Sequence, residues 1–175
     1  DAPGFPIKRI QGKDMNSQRN FIPKYVFGPV PSRRLGRSLG IDLVPRKTCT
    51  YNCIYCQLGR TTEQTIDRQS YIPIDRAIRE LKQTLADLSP PPDYITLSGS
   101  GEPTLHSEIG RVIREVKKRS QIPVAVLTNG SLLHIESVRE ALGAADLVIP
   151  NLDAADPTLF QFINRPHPSL HFTQV

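Results

Sequence analysis

The chain has 175 residues, a formal net charge of +5 and a hydrophobic content of 38%. This length and apolar content suffice for one domain with a sizeable core. The sequence shows no apolar run long enough to span a membrane and no secretory leader, so we expect neither a membrane protein nor a secreted one.

The start of the chain is divided into three predicted regions. Residues 1–14 show no hydrophobic periodicity, and we interpret them as an expression remnant or a disordered arm before a natural start at Met15. Residues 15–36 form a lead-in rich in Pro and Gly near its end. Residues 37–175 are the predicted catalytic or binding domain.

The first predicted strand is the apolar alternation over residues 39–43, which ends at Pro45. It is followed by the only three cysteines of the chain, spaced C-x3-C-x2-C: Cys49, Cys53 and Cys56. Three thiolates fill three corners of a [4Fe–4S] cube and leave one iron open for chemistry. Unpaired cysteines in such a site indicate the reducing cytoplasm.

Other interpretations of the cysteines are weaker but remain open. An odd number of cysteines in so tight a cluster does not suit a disulfide framework. Structural zinc takes four ligands, and the nearest downstream histidine is His106, so a Cys3His site would need a long-range closure.

Helices and apolar strands alternate beyond the cysteines. Helices are predicted at about residues 75–88, 109–116, 135–142 and 157–163, and strands at 94–98, 124–127 and 147–149. The expected N-caps are Asp75, Ser107 and Asp156, and Gly143 is the expected C′ residue of the third helix. Four βα units with continuous apolar strands predict an α/β fold with a parallel sheet.

Each predicted strand is followed by a polar string: the cysteine loop, then residues 98–104 (SGSGEPT), 128–130 (TNG) and 151–153 (NLD). The carboxyl ends of parallel strands form one face, so the strings are expected to meet in one pocket. The glycines at 99 and 101 would let a ligand approach the backbone, and Glu102 would offer a carboxylate to an ammonium group. Each string alone also suits a plain turn or a helix cap. Together they offer partners for an amino-acid head and a ribose, the two parts of S-adenosylmethionine.

At this point the chain resembles the radical S-adenosylmethionine (radical SAM) superfamily. The resemblance rests on the cysteine spacing, with the aromatic Tyr55 before the last cysteine, and on residues 100–102 (SGE) at the place of the family's GGE motif. Residues 27–61 are similar to a branch of Fe–S oxidoreductases grouped with nitrogenase-cofactor assembly and tRNA wyosine-forming proteins. The similarity runs from about Tyr25 to Pro168.

The resemblance implies a partial TIM-like (β/α) barrel, with about four of an expected six βα units. The chain is therefore expected to be the N-terminal portion of a longer protein, or a truncated member completed by another chain. The resemblance also implies two cofactors, a [4Fe–4S] cluster held by the three cysteines and S-adenosylmethionine on the open iron. It singles out no catalytic residue in this chain.

Residues of the polar strings receive S-adenosylmethionine roles from the same resemblance. Glu102 and the neighbouring backbone would receive the methionine ammonium, and Tyr55 would lie near the adenine. Arg165 would pair with the methionine carboxylate. The complete set of implied contacts is Tyr55, Ser100, Gly101, Glu102, Thr128, Asn129, Asn151, Asp153 and Arg165.

The partners follow from charge and chemistry. Basic residues crowd the cysteine region of the sequence: Arg33, Arg34, Arg37, Arg46, Lys47, Arg60 and Arg68. This is either a solvated basic face or an attraction for an anion, so the expected substrate is a tRNA or a phosphorylated small molecule. The expected electron donor is a ferredoxin or flavodoxin. Two alternative functions stay open: an Fe–S electron-transfer or cluster-delivery module, and a zinc-containing RNA-binding domain.

Overall fold

The computed structural model describes residues 24–175. The predicted remnant or arm at residues 1–14 and the start of the 15–36 lead-in lie outside the described residues. Helices and strands alternate along the described chain as the sequence predicts, and the α/β class is confirmed. None of the helices within residues 24–175 has both the length and the apolar character that crossing a membrane requires.

A five-stranded mixed sheet forms the centre of the fold. Residues 24–175 contain seven strands, of which five belong to this sheet. In chain order they are β1 (Val26–Ser32), β2 (Gly36–Ile41), β3 (Thr48–Cys49), β4 (Glu63–Gln64), β5 (Tyr94–Leu97), β6 (Val124–Thr128) and β7 (Leu147–Pro150). The main sheet has the order β1-β2-β5-β6-β7, and β3 and β4 form a separate parallel pair. Strand β1 is antiparallel to β2, and the other neighbours in the main sheet are parallel.

The four predicted helices follow the parallel strands: α1 (Ile74–Asp87), α2 (Ile109–Lys117), α3 (Glu136–Leu142) and α4 (Pro157–Asn164). Parallel strands that are neighbours both in the chain and in the sheet occur in (β/α) barrels. Within residues 24–175 the parallel strands of the main sheet alternate with helices. Closure into a barrel and the number of βα units stay predictions.

The core lies between the sheet and the helices. Strands β5 and β6 are apolar and almost wholly buried, as expected for parallel strands covered by helices. The inner stripe of α2 is completely inaccessible at Ile109, Val112, Ile113 and Val116. One polar pair crosses this core, since the hydroxyl groups of Ser38 and Thr96 lie 2.9 Å apart and satisfy each other.

Strand β1 lies inside the predicted lead-in and was missed by the sequence analysis. Pro29 and Pro31 argue against a central strand because proline cannot donate to a sheet ladder. The structure places them on a strand at the edge of the sheet formed by residues 24–175, where one side of the backbone has no neighbouring strand among those residues. The register also shifts between Phe27 and Val30. A proline-rich segment can therefore complete this sheet only at its edge.

Two predicted helix caps are wrong. Helix α1 begins at Ile74, so Asp75 lies in its first turn and pairs instead with Arg111 at 3.0 Å. Helix α2 has Glu108 at its N-cap, while the Ser107 N–H donates to the Gln69 carbonyl oxygen. Gly143, the predicted C′ residue of α3, is instead its C-cap, and its φ of −59° is helical and does not require glycine.

The predicted cap of α4 is confirmed. Asp156 accepts hydrogen bonds from the N–H groups of Thr158 and Leu159, both at 2.9 Å, and Pro157 occupies the first helical position.

We expect Asp156→Ala to lower the free energy of unfolding by about 1 kcal/mol, because two N–H groups of α4 lose their acceptor. Asp75→Ala is the matched control, since exposed ion pairs of this kind contribute at most about 1 kcal/mol and often much less. Urea denaturation of both variants tests this. Equal losses would show that Asp156 does not act as a cap.

Candidate functional site

The cysteine loop leaves the carboxyl end of β2 and is closed by the small β3–β4 pair. Cys49 is the second residue of β3, and it is aligned with Gln64 of β4. The Thr65 N–H donates to the Cys49 carbonyl oxygen at 3.1 Å. The segment that carries the other two cysteines is therefore a loop with both ends fixed by strand pairing.

The backbone of residues 98–102 is hydrogen-bonded to the segment that leads into this loop. The Lys47 N–H donates to the Ser100 carbonyl oxygen at 2.8 Å, and the Glu102 N–H donates to the Thr48 carbonyl oxygen at 3.2 Å. A Cβ on Gly101 would lie 1.8 Å from that same Thr48 oxygen. Gly101 therefore allows a close approach of the protein's own backbone, which the sequence did not predict. Its contact with S-adenosylmethionine stays a prediction.

Gly99 has a similar internal explanation. Its φ is +140°, and a Cβ there would lie 2.7 Å from the carboxyl carbon of Asp42. That carboxylate accepts the Ser100 N–H at 3.0 Å. Both glycines therefore allow the SGSGE segment to pack against the chain that leaves β2.

Glu102 is buried and links the β5 and β6 ends of the site. Its Oε1 accepts the Thr104 N–H at 3.0 Å, the Thr104 hydroxyl at 2.5 Å and the Thr128 hydroxyl at 2.6 Å. Its Oε2 accepts the Asn129 N–H at 2.8 Å. Burial raises the pKa of Glu102, and these hydrogen bonds oppose the rise.

Each cysteine sulfur has a side-chain nitrogen donor, and two of the three donors come from distant segments of the chain. Lys47 Nζ lies 3.1 Å from Cys56 Sγ. The side-chain amide of Asn129 lies 3.6 Å from Cys49 Sγ, and that of Asn164 lies 3.6 Å from Cys53 Sγ. The three sulfurs are free of disulfides.

The thiols differ in acidity. Burial, with a smaller contribution from the Glu102 carboxylate, raises the pKa of Cys49 to about 11. Burial also raises the pKa of Cys53. At Cys56 burial is the largest single effect and acts in the same direction, but the hydrogen bonds from Lys47 and the Leu58 backbone, with the positive charge of Lys47, together outweigh it and the pKa is lowered. Cys56 is therefore the thiol most readily converted to the thiolate that binds metal.

On the β7 side, Asp153 joins two parts of the site. Its Oδ2 accepts the Tyr55 hydroxyl at 2.5 Å and the Asn164 amide at 2.6 Å. Burial, followed by this hydrogen bond, raises the pKa of Tyr55, so the phenol remains a donor. Asn164 was missed in the sequence, although it directly precedes the Arg165 that the resemblance singled out.

A cavity of about 200 Å³ lies beside Asp153. Its wall includes Tyr51, Asn151, Asp153, Phe160 and Asn164. Among the described residues, the Tyr51 hydroxyl is the one buried side-chain oxygen or nitrogen without a hydrogen-bond partner. The volume is below the roughly 300–1,000 Å³ of complete ligand pockets, so it suits one part of a larger molecule.

The remaining predicted contacts are dispersed around this centre. The Thr128 hydroxyl donates to Glu102, and Asn151 is exposed with its N–H on the Thr128 carbonyl oxygen at 3.0 Å. Arg165 is exposed and has a left-handed backbone with a φ of 46°. Its carbonyl oxygen accepts the Gln64 amide at 2.7 Å.

The segment around Arg165 runs along the cysteine loop, which the sequence did not predict. The Ile54 N–H donates to the Ile163 carbonyl oxygen at 2.9 Å, and the His167 N–H donates to the Thr50 carbonyl oxygen at 2.9 Å. Tyr51 and Pro166 also form a β-bridge. The end of α4 therefore covers one side of the loop.

The basic residues do not form one strip around the cysteines. Arg33 and Arg34 lie in the turn before β2, and Arg37 is near the amino end of that strand. The cysteine loop leaves the opposite end of β2. These three arginines are therefore near the cysteines in sequence but not in space. Arg46 and Arg60 are exposed within the cysteine region itself.

The side chains of residues 24–175 include no group of three or more His, Cys, Asp or Glu residues suited to a single metal ion. A cube is a larger group than one ion, and its thiolate ligands surround it from several sides. Three free thiols with separate N–H donors fit such a cluster, because hydrogen-bonded sulfur is typical of its outer shell.

We expect Gly101→Ala to lower the free energy of unfolding by about 1–3 kcal/mol, because its methyl group would displace the Thr48 backbone. Gly143→Ala is the control, since its nearest contact would be at 3.3 Å and its backbone is helical. Chemical denaturation measures both changes. A Gly101→Ala loss no larger than that of the control would contradict the close approach.

Comparison with known proteins gives several relatives. The chain is 48% identical over 152 residues to a protein of Brachyspira hyodysenteriae named GTPase Obg, covering 87% of this chain and 22% of that protein. It is 45% identical to a UPF0026 protein of Synechocystis, covering 86% and 56%. It is 29% identical to a probable GTP 3′,8-cyclase of Methanothermobacter thermautotrophicus, covering 73% and 39%. The chain thus spans between about a fifth and just over half of these relatives.

A family model described as the radical SAM superfamily matches residues 43–172. The match includes the cysteine loop, the SGSGE segment and the ends of β6 and β7. Members of that superfamily bind a [4Fe–4S] cluster and S-adenosylmethionine, which confirms the two expected cofactors. The chain belongs to the radical SAM superfamily.

Proposed function

We propose that this chain forms the part of a radical SAM enzyme that binds the cluster and S-adenosylmethionine. The observation that carries the proposal is the arrangement of the three cysteines, each with its own N–H donor. The chain has no fourth cysteine to fill the last corner of a cube. Cys49, Cys53 and Cys56 are the proposed iron ligands.

When bound and reduced by an external donor, the cluster would supply the electron that cleaves S-adenosylmethionine to methionine and a 5′-deoxyadenosyl radical, which would take a hydrogen atom from the substrate. The chain's own residues bind these cofactors and orient them. Strand pairing at β3–β4 and the backbone of residues 163–167 hold the cysteine loop from both sides. This fixed loop supports the expected function because iron ligands need a defined geometry.

Glu102 retains capacity for the methionine ammonium. Among the described residues, Oε1 accepts three donors, whereas Oε2 accepts the Asn129 N–H alone. Because a carboxylate oxygen readily accepts at least two hydrogen bonds, Oε2 has room for another donor. Because Glu102 is 2% exposed, a contact through Oε2 requires the ammonium to approach closely.

The cavity beside Asp153 is the proposed place of the ribose or methionine part. Asp153 offers its second carboxylate oxygen to a hydroxyl, and the unpartnered Tyr51 hydroxyl needs an acceptor or donor when buried. Tyr55 is half exposed next to Asp153, which suits a ring beside the adenine. These are the parts of the wall that a nucleoside would contact.

The substrate proposal is a phosphorylated small molecule or a tRNA. Arg46 and Arg60 present unneutralised charge at the cysteine end of the sheet, since neither belongs to an ion pair within residues 24–175. Two relatives bear the name GTP 3′,8-cyclase, which names a phosphorylated nucleotide. The proposed electron donor is a ferredoxin or flavodoxin, and the proposed location is the cytoplasm.

We expect anaerobic reconstitution to load about four irons per chain, with broad visible absorbance. Cys53→Ala should abolish that absorbance, because the two remaining thiolates are not enough to hold the cube. Asp87→Ala, which changes an exposed residue at the end of α1, is the control. A metal analysis that finds about one zinc per chain instead of iron would support the zinc-containing alternative.

Dithionite and S-adenosylmethionine should then yield 5′-deoxyadenosine, measured by chromatography with and without tRNA or GTP. A reducible cluster that yields no 5′-deoxyadenosine would contradict the enzyme proposal and favour the electron-transfer or delivery module.

We expect Asp153→Ala to weaken S-adenosylmethionine binding roughly tenfold or more, because a charged hydrogen-bond acceptor contributes about 1.5–3 kcal/mol. Calorimetry on the reconstituted protein measures the dissociation constant, and iron content is determined in parallel. Asp87→Ala again serves as the control. Unchanged affinity with a complete cluster would remove Asp153 from the binding site.

A further inference from the structure

Lys47 is a buried lysine whose ammonium group reaches a cysteine sulfur. The residue is 5% exposed, and its Nζ lies 3.1 Å from Cys56 Sγ. Within the described part of the chain, no carboxylate forms an ion pair with it. Burying an ammonium group without a negative partner costs free energy. The position of Lys47 therefore indicates a negative charge at Cys56.

The backbone of Lys47 is held in an uncommon conformation. Its φ of 62° lies in the left-handed region, which a residue with a long side chain rarely adopts. Its N–H donates to the Ser100 carbonyl oxygen, and its carbonyl oxygen accepts the N–H groups of Thr62 and Glu63 at 3.2 Å and 3.1 Å. Such strain persists only where surrounding bonds impose it, and it is common at functional sites.

The other two sulfurs have neutral partners at longer distance. Asn129 and Asn164 approach Cys49 and Cys53 through side-chain amides at 3.6 Å. Of the three sulfurs, that of Cys56 is the one whose side-chain hydrogen-bond donor carries a positive charge. The reduction potential of an iron–sulfur cluster depends on net charge and on hydrogen bonds to its sulfurs, and a nearby cation favours the more negative, reduced state.

We propose that Lys47 is the electrostatic partner of the cluster at Cys56 and makes the cluster easier to reduce. This proposal rests on the proposed function, since it requires the three cysteines to hold a cluster. Lys47 is a positioning residue in this scheme: it fixes the Cys56 sulfur and adds positive charge. It neither supplies nor receives the electron, which comes from an external one-electron donor such as a ferredoxin or flavodoxin.

The test is a redox titration of the anaerobically reconstituted protein, followed by electron paramagnetic resonance of the reduced cluster. We expect Lys47→Met to lower the ratio of reduced to oxidised cluster about tenfold at a fixed solution potential. For a one-electron couple this corresponds to a shift of about 59 mV toward more negative potential. Lys47→Arg keeps the charge and should shift the midpoint much less.

The control is Lys82→Met, which removes the same charge from an exposed position on α1. Iron content is measured for every variant. A Lys47→Met protein with a complete cluster and an unchanged midpoint, or with a shift equal to that of Lys82→Met, would overturn the proposal.

Cluster loading separates the remaining outcomes. If Lys47→Met fails to load a cluster while Lys47→Arg loads one with a near-normal midpoint, the charge is needed even for retention, which supports the proposal. If both variants fail to load, Lys47 acts only in shaping the loop and the proposal is wrong. If the unaltered protein loads no cluster, the proposed function itself fails, which is a distinct result.

Discussion

The site depends on the buried carboxylate of Glu102. It ties the end of β5 to the end of β6 by accepting the Thr128 hydroxyl and the Asn129 N–H. Asn129 in turn donates from its side chain to Thr50 at 2.7 Å and to the Cys49 sulfur at 3.6 Å. One desolvated acidic group thus connects three separate segments. Such a group is stable in the interior only while its donors remain in place, which makes the arrangement specific.

Much of the fold and the general place of the site follow from sequence pattern alone. Apolar strands and amphipathic helices have clear periods, and parallel strands bring their carboxyl ends to one face. Asp156 was recognisable as a cap because its two acceptor bonds are local. Asp75 and Ser107 were not, since the register of a helix start within one residue depends on tertiary packing.

The details of the site come from contacts between distant residues, which a single sequence does not encode locally. The string around Gly101 suggested a close approach by a ligand, and nothing in the sequence indicated that the Thr48 carbonyl oxygen also approaches this glycine closely. Arg33 is close to the cysteines in sequence, yet a strand separates them in space. The direction of the Lys47 side chain likewise follows from a backbone that three remote hydrogen bonds impose.

The docking of residues 163–167 on the cysteine loop has a consequence for biosynthesis. Cys53 and its amide donor Asn164 are 111 positions apart, so a ribosome completes nearly all of the described chain before they can meet. At about 5–20 residues per second, the thiols remain without this cover for several seconds or more. The full set of sulfur donors can therefore form only after α4 has been synthesised and has packed against the cysteine loop.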